Sequence, residues 1–223
     1  MNHATKEKNS FLMDTFQWIT NLFYLNILWF IGCLSGLVIA GIGPATISLF
    51  ETLKELSWRD NKVPLTRTFF KIYKEQWLII NKWMIVLYGV TIFFWIDYRL
   101  IILFNFNTLI FKTVYPLFIL LVCIVTITII YFFAFYTNFN LPVLKKLENS
   151  LLLAFSSPIR SLLIILFLVV HYIIILRWPF ILIFFMVSLP AFIIILILKK
   201  VYFKIIWSAN QNKESMNKTN KDK

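Results

Sequence analysis

Five apolar blocks, each long enough to cross a bilayer as a helix, run from Phe16 to Ile42, Trp77 to Phe104, Val114 to Tyr136, Leu151 to Leu176 and Pro179 to Leu198. A hydrocarbon core about 30 Å thick takes roughly 20 residues at a rise of about 1.5 Å each. The period-two alternation of a membrane β-barrel is missing. The chain is 60% hydrophobic and only 14% charged, whereas a soluble domain carries roughly a quarter charged residues. In water it would expose apolar patches far larger than a monomer tolerates. The expectation is an all-α, polytopic transmembrane helical bundle over residues 1–205, followed by a basic, disordered cytoplasmic tail over residues 206–223.

Details within the blocks refine this. A secretory signal would end in a small-residue cleavage site, but Ala40-Gly41-Ile42-Gly43-Pro44 carries none, so the first block is expected to stay as an anchor. The second block is interrupted by Lys82 near its start and by Asp97 and Arg99 near its end. A span from Trp77 to Trp95 would place an indole at each interface, where aromatic rings prefer to sit, with Lys82 snorkelling outward. Arg177-Trp178-Pro179 leaves room only for a tight turn, so the fourth and fifth blocks form an antiparallel hairpin. Pro190 falls in the middle of the fifth block and is expected to kink it.

A formal charge of +12 could suggest nucleic acid, but the cations sit in loops and tails between apolar blocks, which fits a membrane surface better. With five spans, the side holding Lys6, Lys8, Arg99, Lys112 and Arg177 carries five cations and the other side seventeen. Basic loops stay in the cytoplasm. This places the carboxy terminus inside and the amino terminus outside a cell membrane, which the A/T-rich codon usage of Phe, Ile, Asn and Lys hints is bacterial.

The richest polar organisation lies in residues 44–76, expected as the first cytoplasmic loop. Gly43-Pro44 reads as a break before a new helix, since proline suits the first helical turn. Leu49, Leu53 and Leu56 then share a face beside Ser48, Glu51 and Glu55, as in an amphipathic helix. After a turn at Arg59-Asp60-Asn61-Lys62, a second helix begins near Pro64. Its aromatic stripe is Phe70, Tyr73 and Trp77, and its basic stripe is Arg67, Lys71 and Lys74. Such a helix either anchors the loop among acyl chains and anionic headgroups or offers a docking surface to a cytoplasmic partner.

In the first span Gly32 and Gly36 form a G-x-x-x-G pair, extended by Ala40 and Gly43 beside Pro44. Small residues at this spacing let helices approach closely, and packing inside one bundle is favoured over homodimerisation. His171 is the clearly central ionisable residue of the spans, and intramembrane ionisable groups are functional candidates. It is either a neutral imidazole bonded to a neighbouring helix or part of a polar cavity. Asp97 and Arg99 either neutralise one another or line such a cavity. Cys33 and Cys123 each lie alone inside an apolar block and read as small hydrophobes. No phosphate-loop, zinc-protease or nucleophile-elbow pattern occurs. No catalytic residue, cofactor or metal site is therefore expected. Leu141-Pro142 before Leu147 faintly echoes Val63-Pro64 before Phe69, as a two-fold repeat would.

Asn26-Ile27-Leu28-Trp29, the run from Gly36 to Thr46, and Thr68-Phe69-Phe70-Lys71 through Trp77 and Asn81 resemble the YesL family of bacterial membrane proteins. The specific part runs from Leu22 to Lys82, and the five-span pattern also looks like that family. The resemblance implies an accessory role beside the components of carbohydrate ABC importers, and it supplies no catalytic residue. The leading expectation is a non-enzymatic membrane accessory protein. The competing one is a small-solute transporter or substrate-binding component using His171, Asp97 or Arg99.

Overall fold

The computed structural model describes residues 3–58, 63–103, 108–136 and 141–201, and among these it is helical with no strand. The helices are α1 (His3–Ser35), α2 (Ile39–Trp58), α3 (Leu65–Leu103), α4 (Thr108–Phe135), α5 (Val143–Ser156), α6 (Pro158–Arg177) and α7 (Phe180–Phe185), with α8 over residues 188–201. Four of them contain stretches long and apolar enough to cross a bilayer: Thr15–Ser35, Leu65–Leu100, Thr113–Phe135 and Pro158–Arg177. The chain is a helical membrane protein. The expected turn at residues 59–62 and the tail at 206–223 lie outside the described residues.

The first apolar block is not one crossing. It reverses at Gly36-Leu37-Val38, and α2 returns along α1, so that Trp29 Nε1 donates to Thr46 Oγ1 at 3.1 Å. The reversal closes with the Val38 amide on Cys33 O at 2.8 Å and the Leu37 amide on Leu34 O at 3.1 Å, the paired pattern that satisfies the last carbonyls of a helix. Leu37 and Val38 adopt φ of 53° and 66°, a region where a β-branched residue is an outlier. Glycine is obligatory beside them: a Cβ on Gly41 would sit 2.4 Å from Cys33 O, and one on Gly36 would sit 2.4 Å from Gly41 Cα.

This hairpin corrects the expected cytoplasmic loop at 44–76. Pro44 lies inside α2, fully packed, rather than opening a helix. Leu49, Leu53 and Leu56 do share a buried face, but Ser48, Thr52 and Lys54 are buried too. Helix α2 is thus a core element between α1 and α3, not one lying in the interface plane. Its hydroxyls fold back on its own carbonyls, Ser48 on Pro44 O and Thr52 on Ser48 O, which lets a polar helix be buried without unpaired donors. Helix α3 runs parallel to α1, with Tyr24 meeting Thr66 at 2.7 Å and, further along, Tyr73 donating to Gly32 O at 2.7 Å.

The second block belongs to the unbroken α3. The fourth is divided: residues 151–156 finish α5, and α6 starts at Pro158 after Ser157 leaves the helical region. Proline fits there because a first-turn amide has no intrahelical partner. The turn at Trp178-Pro179 joins α6 to α7 as the sequence requires.

The fifth block is broken at residues 186–187, so among the described residues it forms no single helix of spanning length. Pro190 sits in the first turn of α8, not in mid-helix. The break is bridged by one side chain from α1. Asn26, fully buried, donates from Nδ2 to Ile183 O at 2.7 Å, while its Oδ1 accepts from the amides of Val187 at 3.2 Å and Ser188 at 3.4 Å. Trp18 against Phe192 and Phe23 against Phe184 flank this bridge, with ring centroids 4.9 Å apart in each pair, and set α8 antiparallel to α1. Asn26→Leu leaves these backbone groups unpaired, and the expected loss is about 2–3 kcal/mol. Thermal unfolding of the purified protein in detergent should show a clearly lowered midpoint, with Asn26→Asp intermediate because it keeps the acceptor.

Candidate functional site

On the second half of α2, Glu51 and Glu55 stand one turn apart; on the first turns of α3, Arg67, Lys71 and Glu75 do the same. Because the two helices are antiparallel neighbours, these faces meet across a cleft of about 830 Å³, closed at one end by Val63 and Pro64 and completed by Thr68, Ile72 and Gln76. Among the described residues no ion pair spans it: the carboxylates of α2 and the cations of α3 stay more than 4 Å apart. Oppositely charged walls attract, so the apolar packing beneath them must hold the cleft open. That packing is Leu53 and Leu56 of α2 with Phe69 of α3, all buried.

Behind the cleft wall lies Lys54, buried and ion-paired to Glu51, with Nζ donating to Ala134 O at 3.1 Å. Ala134 belongs to the last turn of α4, where unpaired carbonyls carry partial negative charge and favour a cation. Beyond it, the Lys146 ammonium lies 4.1 Å from the Tyr136 ring centroid. Burial pushes Lys54 and Lys146 below the ordinary lysine range, opposed in both by the Glu51 carboxylate. Burial likewise pushes the Tyr136 phenol up. Glu51 thus links the solvent-facing cleft to a buried polar junction of α2, α4 and α5.

The residues marked by sequence divide. Arg67 and Lys71 line the cleft, and Lys74 is exposed outside it. Of the aromatic stripe, Tyr73 is buried and stacks 6.4 Å from Phe69, Trp77 contacts it at 5.2 Å and meets Gly36, and Phe70 is half-buried edge-on to Phe69. Gly32 abuts Ala45 and Phe69, and Gly43 abuts Met84, so this face packs within the chain; Ala40 is half-buried beside the turn. His171 is buried on α6, stacked on Phe167 at 5.8 Å, with no hydrogen-bond partner for Nε2 among the described residues. Arg99 covers the Trp95 ring at 5.3 Å, and among the described residues no ion pair joins it to Asp97. None of these three lines the cleft.

Sequence reasoning passed over Lys54, Lys146 and Asn26. The available signals were an i, i+3 acid–base pair in a helix read as interfacial and a lone amide inside an apolar block. For Lys54 the pH dependence follows from its lowered folded-state value. Between that value and the ordinary 10.5, the unfolded chain binds more protons, so the Lys54 contribution is full above 10.5 and is lost as pH falls through the folded value. Measured against Lys54→Met at each pH, the melting temperature of the unaltered protein should rise as pH is raised toward 10.5; a flat difference would contradict it.

Comparison with known proteins falls on this same region. A family model described as a protein of unknown function, DUF624, matches residues 22–98, which span the second half of α1, all of α2 and most of α3. The chain is 28% identical over 197 residues to the uncharacterized protein YesL of Bacillus subtilis, covering 88% of this chain and 90% of that one. It is 34% identical over 85 residues to the uncharacterized protein YteU of the same organism, 38% of either chain. No solved structure matches. The DUF624 match thus falls across the cleft-bearing helices, and the similarity to the uncharacterized protein YesL runs along most of the chain.

Proposed function

We propose that this protein is a non-enzymatic membrane accessory protein that engages a cytoplasmic partner through the polar face of α2 and α3. The observation that carries the reading is the cleft itself: its walls bear Glu55, Arg67, Lys71 and Glu75 with no ion pair to one another among the described residues. Charged groups left uncommitted at a concave site suit recognition of another molecule. Lys74 extends the basic stripe beyond the rim. A component of a carbohydrate ABC importer is the partner that the family resemblance brings forward.

The same reading fixes an orientation. Because α2 doubles back along α1, the start of α1 lies at the same end as Trp58 and Val63, and α8 runs toward that end, with Leu198 and Lys199 beside Trp58. Lys6 and Lys8 therefore join the basic end instead of opposing it, and the end with most cations faces the cytoplasm. Both termini are then cytoplasmic, which revises the exterior amino terminus expected from five crossings.

Two measurements check this. A reporter enzyme active only outside the cell should stay silent when fused to either terminus, and strong activity at the amino terminus would restore the earlier orientation. Co-purification in mild detergent should recover a partner with the intact protein and lose it when Arg67, Lys71 and Lys74 are all changed to Ala; identical partners in both samples would dismiss this face.

A further inference from the structure

The cleft has a polarity that partner docking does not require. Its α2 wall is acidic, through Glu51 and Glu55, while the adjoining turns of α3 are basic, through Arg67 and Lys71. Glu51 is already answered from behind by Lys54, which leaves Glu55, among the described residues, as the unanswered carboxylate of that wall. Among the described residues, counting Lys54 with the five charged lining residues, the opposed charges balance but are separated between the two walls. A simple anion would meet Glu55, and a simple cation would meet Arg67 and Lys71. A molecule carrying both charges a few bonds apart satisfies each wall at once.

We propose that the cleft binds a phosphate–amine zwitterion, with the phosphate held by Arg67 and Lys71 and the ammonium by Glu55. Two cations one helical turn apart suit a group with several anionic oxygens better than a carboxylate, because the planar guanidinium takes two oxygens and the lysine a third. Glu75, one turn beyond Lys71, and Gln76 offer further acceptors and donors at the far side of the site. A volume of about 830 Å³ is in the range of small-molecule sites. The phosphate–amine pair occurs both in free phosphoethanolamine compounds and in the phosphatidylethanolamine headgroup.

The test uses the full chain. Equilibrium dialysis with glycerophosphoethanolamine reports the free source; native mass spectrometry after passage through mixed micelles of phosphatidylethanolamine and phosphatidylglycerol reports the lipid source. Saturable binding of the soluble compound, or selective retention of phosphatidylethanolamine when only the lipid binds, supports the proposal and identifies the source. Glu55→Gln and Arg67→Gln should each weaken binding about tenfold, the scale of one charge-assisted hydrogen bond, with unchanged thermal melting showing that the fold survives. Equal retention of both lipids with no effect of Glu55→Gln would mean a plain anion surface and would overturn the zwitterion. No saturable binding in either assay would overturn the site. Glu55→Gln leaves the Arg67, Lys71 and Lys74 stripe intact, so loss of ligand without loss of a co-purifying partner separates this inference from the partner reading.

Discussion

A helix that stops inside apolar surroundings leaves amides and carbonyls with no water to receive them, and each such group costs several kcal/mol if left alone. The end of this chain meets that constraint at residues 186–187, where α7 gives way to α8. Asn26 answers it with one side-chain amide, whose carbonyl and NH2 groups face opposite sides of the break. The bridge also fixes where α8 lies on α1. From there α8 reaches the gap where Lys54, Trp58 and Phe135 meet. The position of the polar end of the bundle thus depends on a residue far from it in sequence.

That polar end is built by two opposed requirements. Apolar packing of Leu53, Leu56 and Phe69 brings the last turns of α2 against the first turns of α3, while the charged residues on their outer faces stay apart around the cleft. Burying Lys54 is costly, and the cost is offset by a carboxylate on its own helix and a carbonyl at the end of another. The junction therefore couples the cleft wall, through Glu51, to the end of α4. A change in charge at Glu51 reaches Lys54, and through it the carbonyl of Ala134.

The helical membrane class was legible because apolar length alone decides it. The tight turn between α6 and α7 was legible because only Trp178 and Pro179 lie between them. The reversal at Gly36–Val38 was hidden: its signature is glycine fitting against backbone across a turn, while Leu37 and Val38 at the left-handed positions give the opposite local signal. Reading through it turned a core helix into an interfacial one and hid that α1 begins at the end of the bundle where α2 finishes. Arg67 and Lys71 stood out as a basic stripe. Their acidic counterparts did not, since facing walls exist only once α2 has folded back. Pro190 signalled a break but misplaced it by a few residues, because proline tolerates the first turn of the helix that follows.

The Asn26 bridge also orders the assembly in time. Its partners lie 157 to 162 residues later in the chain, whereas α1, α2 and α3 find one another in sequence order soon after each emerges from the ribosome. The helices carrying the family signature can thus settle before the last hairpin has been synthesised, with a bare amide waiting on the flank of α1. A chain cut short before α7 would leave that side-chain amide without the backbone partners that α7 and the start of α8 supply.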